Sequence, residues 1–181
     1  MSAFPTLLLI HGATGNGRMW EGVKRHLDPR WTVLTPDLPG HGTRTGEAFT
    51  LEAAVATVVQ VVRGIAPSPV VVGGDSLGGY VSLASAAALP SHQLLGLVLS
   101  GSSANFHGTA LRALQRRWLM TRVLRRLLGD RRIVAMVAKD LRKAGLEPQD
   151  VDAIVEGGLT PGVFGQCMNA LRDIDFRARA A

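Results

Sequence analysis

The chain has one cysteine, few aromatic residues and no long apolar run, and each scarcity excludes something. Because Cys167 is the only cysteine, no disulfide can form within the chain, which is typical of a reducing compartment. We therefore expect a cytoplasmic protein. No apolar run approaches the roughly 20 residues that cross a bilayer. The first ten residues contain no Lys or Arg, so we expect a buried strand there rather than a signal peptide.

Acidic residues are scarce in one part of the chain. Between Arg112 and Lys143 there are eleven Lys or Arg and two acids, so this stretch carries +9, whereas the whole chain carries +6. Nucleic acid or a membrane surface would attract such a charge, but Trp118 is the only aromatic residue in the stretch and no nucleic-acid-binding motif is present. A solvated helical face accounts for the charge without a partner. We therefore expect neither nucleic-acid nor membrane binding.

The sequence also lacks the patterns that hold metals and nucleotides. No group of His, Cys and Asp has the spacing of metal ligands. The glycine-rich segment 12–17 follows a predicted strand, but it does not have the G-x-G-x-x-G order of a dinucleotide-binding loop. We therefore expect no metal and no cofactor.

Apolar runs alternate with helical patterns through the first part of the chain. The runs predict strands at 6–10, 31–35, 70–74 and 94–100, and the segments between them predict helices at 19–27, 51–63 and 77–89. This alternation predicts an α/β fold with a parallel sheet of about four strands and helices on both faces. The chemistry of such folds collects at the carboxyl ends of the strands, where His11, Asp37, Ser76 and Ser102 all fall.

The pattern changes after residue 105. Four amphipathic helices follow with no strand between them, beginning at Thr109, Asp130, Pro148 and Pro161. We expect these helices to form a cap over the strand ends. The chain is therefore predicted to divide into residues 1–105, which form the sheet and its helices, and residues 106–181, which form the cap.

The third predicted strand meets the following helix at a serine flanked by glycines. The segment Gly74-Asp-Ser-Leu-Gly78 is a G-x-S-x-G pattern, placed where a strand turns sharply into a helix. A serine at the tip of so tight a turn has a strained backbone, and a side chain two residues away on either side would collide with the returning helix. Glycine at both positions removes these collisions. The turn thus predicts an exposed Ser76 hydroxyl beside the N–H of Leu77, at the positive end of the helix.

Four motifs occur in order on the predicted elements. They are Leu8-Leu-Ile-His-Gly12, Asp37-Leu-Pro-Gly-His-Gly42, Gly74-Asp-Ser-Leu-Gly78 and Leu97-Val-Leu-Ser-Gly-Ser102. Together they resemble the α/β-hydrolase family, and within it the small esterase and enol-lactonase-like members that carry a helical cap. The resemblance implies a serine hydrolase acting on small esters or lactones. It also implies that Ser76 is the nucleophile and that the N–H groups of Ala13 and Leu77 form the oxyanion hole. His11 and His41 look like family loop residues that brace turns.

The resemblance also implies residues that the chain does not contain. In the family, the catalytic acid and the histidine follow further strands after the cap, and here the chain ends at Ala181, near where the next strand would begin. We therefore expect a partial α/β-hydrolase fold, truncated before the acid and the base. A serine hydroxyl needs a histidine to take its proton, and that histidine needs a carboxylate. His107, at the start of the cap, is the one histidine expected near the site; the alternative is that it is an exposed loop residue.

The family's strand order places 31–35 and 94–100 at the two edges of the sheet. Open apolar edges recruit partners, so the expected partner is a second copy or a complementing chain across the 94–100 edge. Two functions stay open at this point. One is a serine hydrolase completed by such a partner, and the other is a non-catalytic remnant or ligand-binding scaffold of the same fold.

Overall fold

The computed structural model describes residues 4–103, 109–172 and 174–175 of the chain. Four strands form one parallel sheet in the order β2-β1-β3-β4. They are β1 (Thr6–Ile10), β2 (Thr32–Leu34), β3 (Val70–Asp75) and β4 (Leu94–Ser100). Both strands that we expected at the edges lie there, and the predicted parallel sheet is confirmed.

The helical segments follow the predicted order. They are the 3-10 turns Gly17–Trp20, Gly42–Arg44 and Pro161–Val163, and the α-helices α1 (Glu21–His26), α2 (Leu51–Gly64), α3 (Leu77–Ala86), α4 (Thr109–Leu128), α5 (Asp130–Lys143), α6 (Pro148–Glu156) and α7 (Phe164–Leu171). Within the described ranges no helix is both long and apolar enough to span a bilayer. The cytoplasmic location stays a prediction.

The helix predicted at 19–27 differs from the one observed. It begins as a 3-10 turn two residues earlier, because the side chain of Asn16 accepts the N–H of Arg18 at 3.0 Å and so caps the new helix. A cap formed by one side chain from the preceding loop is a local contact that an apolar pattern does not reveal.

Alternate residues of β1 and β3 fill the core on one face of the sheet. Leu8, Ile10, Val70 and Val72 are fully buried, since every second side chain of a strand points to the same face. This face is covered by α2 and α3, which contribute Val58, Val62, Val81 and Ala84 to the same hydrophobic cluster.

The opposite face of the sheet is covered in part by the first 3-10 turn and α1. A cavity of about 350 Å³ remains there, and its lining includes Leu7, Leu9, Trp20, Val23 and Val98. Helices therefore lie on both faces of the sheet, as predicted, but this side is less completely filled than the side of α2 and α3.

The last helical segments of the chain pack into the same core as the sheet. Val163, Cys167 and Leu171 are buried in one hydrophobic cluster with Leu38 and Phe49. Leu38 and Phe49 belong to the segment between β2 and α2, so this cluster packs the C-terminal helical segments against the first half of the chain. The predicted division at residue 105 stays a prediction.

Two hydrogen bonds hold the C-terminal segments against the loop that follows β1. The side-chain amide of Asn16 donates to the carbonyl of Ile154 at 2.8 Å, and the N–H of Thr160 donates to the carbonyl of Thr14 at 3.0 Å. The segment 154–160 therefore lies next to the carboxyl end of β1.

β4 is an uncharged, apolar edge strand. Leu95, Val98 and Leu99 have exposed side chains, and residues 94–100 contain no charged residue. Because successive strand side chains point to opposite faces, both faces of this edge are apolar at the surface. Natural sheets commonly protect exposed edges with charges or proline, and β4 has neither.

Candidate active site

Ser76 lies on the sharp turn between β3 and α3. Its backbone has φ 52° and ψ −113°, a conformation that residues with a side chain rarely adopt. The turn is held from both sides, because the N–H of Ser76 donates to the carbonyl of Ser100 at 2.8 Å and its carbonyl accepts the N–H of Gly79 at 3.0 Å. The side chain of Ser76 is exposed. A strained backbone that presents one hydroxyl is a frequent feature of functional sites.

The two flanking glycines are required by contacts with backbone atoms. A Cβ at Gly74 would meet the backbone of Gly78, and a Cβ at Gly78 would meet the carbonyl group of Ile10. We expected both collisions to be with the returning helix, which is wrong for Gly78. Its obstacle is the last residue of β1, because the first turn of α3 passes directly over that neighbouring strand.

The loop that follows β1 lies against Ser76. A Cβ at Gly12 would be 3.8 Å from the Cβ of Ser76 and 3.5 Å from the carbonyl oxygen of Asp75. The loop is held in place because the carbonyl of Gly12 accepts the N–H of Gly15 at 3.2 Å, and the N–H of Gly12 contacts the sulfur of Met19 at 3.3 Å. The backbone after β1 is therefore fixed next to the candidate nucleophile.

The N–H groups of Ala13 and Leu77 have no acceptor among the described residues. Leu77 is the first residue of α3, so its N–H belongs to the unpaired group at the positive end of a helix. Ala13 follows Gly12, which lies against Ser76. Free backbone donors at a helix start and in a neighbouring loop form an arrangement that can accept a negative oxygen.

His11 connects the loops that follow β1 and β2. Its ring is fully buried, and its Nε2 accepts the N–H of Leu38 at 3.0 Å. The ring is therefore neutral and carries its proton on Nδ1, which donates to the carbonyl of Gly12 at 2.9 Å. Burial lowers the pKa of His11 below its usual value. With both nitrogens occupied by backbone groups, His11 has a bracing contact and no free nitrogen for Ser76.

The ring of His41 is also buried, and each of its nitrogens has a partner. Its Nδ1 donates to the carbonyl of Pro39 at 2.9 Å, and its Nε2 lies 3.9 Å from the sulfur of Cys167. Burial, and then the positive charge that His11 would carry, lower the pKa of His41 to about 4. Burial raises the pKa of the Cys167 thiol to about 12, so this cysteine stays protonated.

Asp37 holds three segments together at the carboxyl end of β2. One oxygen accepts the N–H of Gly17 at 2.8 Å, and the other accepts the N–H and the hydroxyl of Thr43, each at 2.8 Å. Burial alone would raise the pKa of Asp37, but these hydrogen bonds and the nearby His11 together lower it. The carboxylate is therefore ionised, and both of its oxygens accept hydrogen bonds that hold the rim of the site.

Asp75 makes a contact beside Ser76 that we did not predict. Its Oδ1 accepts the hydroxyl of Ser100 at 3.0 Å, and a Cβ at Gly12 would lie 3.5 Å from its Oδ2. The carboxylate thus lies between the loop after β1 and the end of β4. The sequence carries no signal for this contact, because it depends on the register of β3 against β4, which sets Asp75 opposite Ser100.

Three of the predicted site residues, Ser76, Ala13 and Leu77, lie at the carboxyl ends of the neighbouring strands β1 and β3. The roles assigned to them stay predictions. His107 lies outside the described residues, and its role as the base stays a prediction too. In the part of the chain that the structure describes, no three His, Cys, Asp or Glu side chains lie together as a metal site requires.

Comparison with known proteins assigns the family. A model of the alpha/beta hydrolase family matches residues 7–177. The chain therefore belongs to the α/β-hydrolase family, and the resemblance carried by the four sequence motifs is confirmed.

The chain is similar to parts of larger proteins. It is 37% identical over 107 residues to lipase LipV of Mycobacterium tuberculosis, which covers 59% of this chain and 40% of that protein. It is 30% identical over 109 residues to the magnesium-chelatase 30 kDa subunit of Rhodobacter capsulatus, which covers 59% of this chain and 38% of that protein. The chain thus spans less than half the length of these curated relatives.

A solved structure shows the same fold. The thermophilic esterase of Thermogutta terrifontis superposes with a TM-score of 0.67 and 24% sequence identity, covering 97% of this chain and 66% of that chain. Nearly all of this chain therefore superposes on about two thirds of that longer chain.

The buried histidines predict how stability depends on pH. The pKa of His41 is 6.5 in an unfolded chain and about 4 in the folded one, so the unfolded chain binds a proton first as the pH falls. The free energy of unfolding is therefore expected to fall between these two values, by about 3 kcal/mol from His41 alone. Urea denaturation at a series of pH values measures it.

Two variants serve as the check on this pH dependence. His41→Asn is expected to flatten the fall in unfolding free energy, leaving the part that comes from His11. His26→Asn removes an exposed histidine on α1 and serves as the comparison at a position that folding does not bury. A His41→Asn variant with the full original dependence contradicts the assignment.

Proposed function

We propose that the chain supplies the nucleophile and the oxyanion hole of a serine hydrolase that acts on small esters or lactones. The observation that carries this proposal is the exposed side chain of Ser76, on a turn with positive φ at the start of α3. Membership in the α/β-hydrolase family and similarity to a lipase support hydrolysis as the reaction. Ser76 is the proposed nucleophile.

In the proposed reaction, the Oγ of Ser76 attacks the carbonyl carbon of the ester while a base takes its proton. The carbonyl oxygen becomes negative and accepts hydrogen bonds from the N–H groups of Leu77 and Ala13. The bond to the alcohol oxygen then breaks, and the alcohol receives the proton from the base. Water attacks the acyl group that remains on Ser76 and releases the acid. In a lactone, the alcohol and the acid stay in one molecule.

The base comes from outside the described residues. His11 and His41 are buried and bonded to backbone groups. His26 bonds the carbonyl of Gly22 within α1, and His92 lies at the surface before β4. His107 is the candidate within the chain, and a histidine from another polypeptide is the alternative.

The position of β4 favours a partner that could complete the site. The carbonyl of Ser100, at the end of β4, accepts the N–H of Ser76, so one end of a strand paired with β4 would lie close to the proposed nucleophile. The exposed side chains of the successive residues Val98 and Leu99 provide apolar contacts on the two faces of that strand. We therefore propose that a second copy of the chain pairs along β4.

The helices from α4 onward are the proposed cap. The hydrogen bond from Thr160 to Thr14 and the one from Asn16 to Ile154 support this role, because both join the C-terminal segments to the loop beside Ser76. In this position the segments limit the access of water and of substrate to the strand ends.

A fluorophosphonate probe tests whether Ser76 is activated. The unaltered chain is expected to be labelled at Ser76, because such probes react with serines whose proton a base removes. Ser76→Ala is expected to lose the label. Ser102→Ala is the matched control, since Ser102 follows β4 at the same end of the sheet and its hydroxyl donates to the carbonyl of Ser100. Mass spectrometry of the labelled peptide identifies the modified residue.

A chain that stays unlabelled supports the second candidate function, a non-catalytic scaffold of the same fold. The observation that favours this alternative is that both ring nitrogens of His11 and His41 are already occupied. The similarity to a magnesium-chelatase subunit also shows that relatives of this chain bear names other than those of hydrolases. Labelling that persists in Ser76→Ala contradicts the proposal that Ser76 is the nucleophile and that a base activates it.

Sedimentation velocity tests the proposed pairing along β4. The unaltered chain is expected to form dimers at micromolar concentration, and Leu95→Lys is expected to give monomers, because a charge on an edge strand blocks pairing with another strand. Met136→Lys is the control, since Met136 is exposed on α5, which packs against α4 and α6. A monomeric unaltered chain, or dimers that Leu95→Lys leaves intact, contradicts the pairing.

A further inference from the structure

Helix α4 has an apolar stripe exposed to solvent. Leu119 is 56% exposed, Met120 64%, Val123 49% and Leu127 74%. Residues three and four apart lie on the same face of a helix, so these four side chains form one continuous stripe. Amphipathic helices normally turn such a stripe toward the core, and here it faces away from it.

The stripe is accompanied by positive charge. Arg116 lies one turn before Met120, and Arg126 lies next to Leu127; both are exposed. Residues 109–128 contain six arginines and no acidic residue. Among the described residues no carboxylate forms an ion pair with Arg116 or Arg126, whereas Arg125 is paired with Asp130.

Helix α5 also has an exposed apolar side chain with basic residues near it. Met136 is exposed, and Arg132, Lys139 and Lys143 lie three or four residues from it or from each other, on a face that also carries the exposed Asp140. The stretch 112–143 carries +9, and the rest of the chain carries −3. The positive charge is therefore concentrated in the stretch of the chain that carries the exposed apolar helix face.

We propose that the exposed face of α4, consisting of Leu119, Met120, Val123 and Leu127 with Arg116 and Arg126, binds the surface of a bilayer that contains anionic phospholipids. Charge complementarity selects this surface, because arginines near a membrane are attracted to anionic headgroups. The apolar stripe then enters the region between headgroups and acyl chains, as it does in helices that lie in the membrane plane.

A membrane surface accounts for both features of α4, the exposed apolar stripe and the positive charge beside it. A solvated helical face, which we expected from the charges alone, does not account for four exposed apolar side chains in one stripe. A soluble polyanion would pair with the arginines and leave the stripe in water. This proposal concerns α4 and is independent of the chemistry proposed for Ser76.

Vesicle cosedimentation of the full chain tests the proposal. Binding is expected to vesicles of phosphatidylcholine mixed with phosphatidylglycerol, to be far weaker to phosphatidylcholine alone, and to decrease with salt. Leu127→Gln is expected to weaken binding roughly tenfold, because the leucine no longer leaves water. Arg126→Gln is expected to weaken it about fivefold, as expected for one charge near the surface.

The chain offers a matched pair of valines as the control. Val123 and Val23 are similarly exposed, at 49% and 41%, but Val23 lies on α1 outside the stripe. Val123→Asn is expected to weaken binding, and Val23→Asn to bind as the unaltered chain does. Circular dichroism confirms that each variant keeps its helices.

Two results would overturn the proposal. The first is the absence of binding to the anionic vesicles. The second is binding that Leu127→Gln and Val123→Asn leave unchanged and that soluble polyglutamate competes away, which would assign the arginines to an acidic soluble partner instead of a bilayer.

Discussion

The close contact between the first turn of α3 and the ends of β1 and β3 is the constraint on which the rest of the structure depends. Gly78 lies against the carbonyl of Ile10, and Gly74 lies against the backbone of Gly78. This contact leaves the chain no room for a wider turn, so Ser76 takes a positive φ and its side chain is exposed. The N–H of Leu77 has no acceptor among the described residues because Leu77 is the first residue of α3.

Buried polar groups make the surroundings of this turn rigid. His11 joins the loop after β1 to Leu38, and Asp37 accepts hydrogen bonds from Gly17 and Thr43. Each of these groups is committed to backbone donors or acceptors, and a buried polar group without a partner would cost stability. Of the motif residues at the strand ends, Ser76 therefore presents an exposed hydroxyl, whereas His11 and Asp37 hold the neighbouring loops in place. An oxyanion hole built from backbone N–H groups requires this kind of rigidity.

The sequence predicted those parts of the structure that follow from local patterns. The strands and the turn at Ser76 depend on apolar runs and on glycine spacing, the edge positions followed from the resemblance to the family, and all three appear as expected. The obstacle at Gly78, the contact between Asp75 and Ser100 and the cap at Asn16 depend on which segments meet in space, which spacing does not encode. The exposed stripe of α4 was missed because an amphipathic pattern predicts that a helix has an apolar face, but not what covers it.

The most direct test of this account is the free energy of unfolding of Gly78→Ala compared with that of Gly64→Ala. The added Cβ at Gly78 meets backbone atoms that cannot move aside, whereas nothing lies within 4 Å of a Cβ at Gly64, in the last turn of α2. Gly78→Ala is expected to lose about 3 kcal/mol, and Gly64→Ala to lose nothing or to gain up to about 1 kcal/mol. Equal stability of the two variants, measured by urea denaturation, would contradict the close contact from which the exposed Ser76 follows.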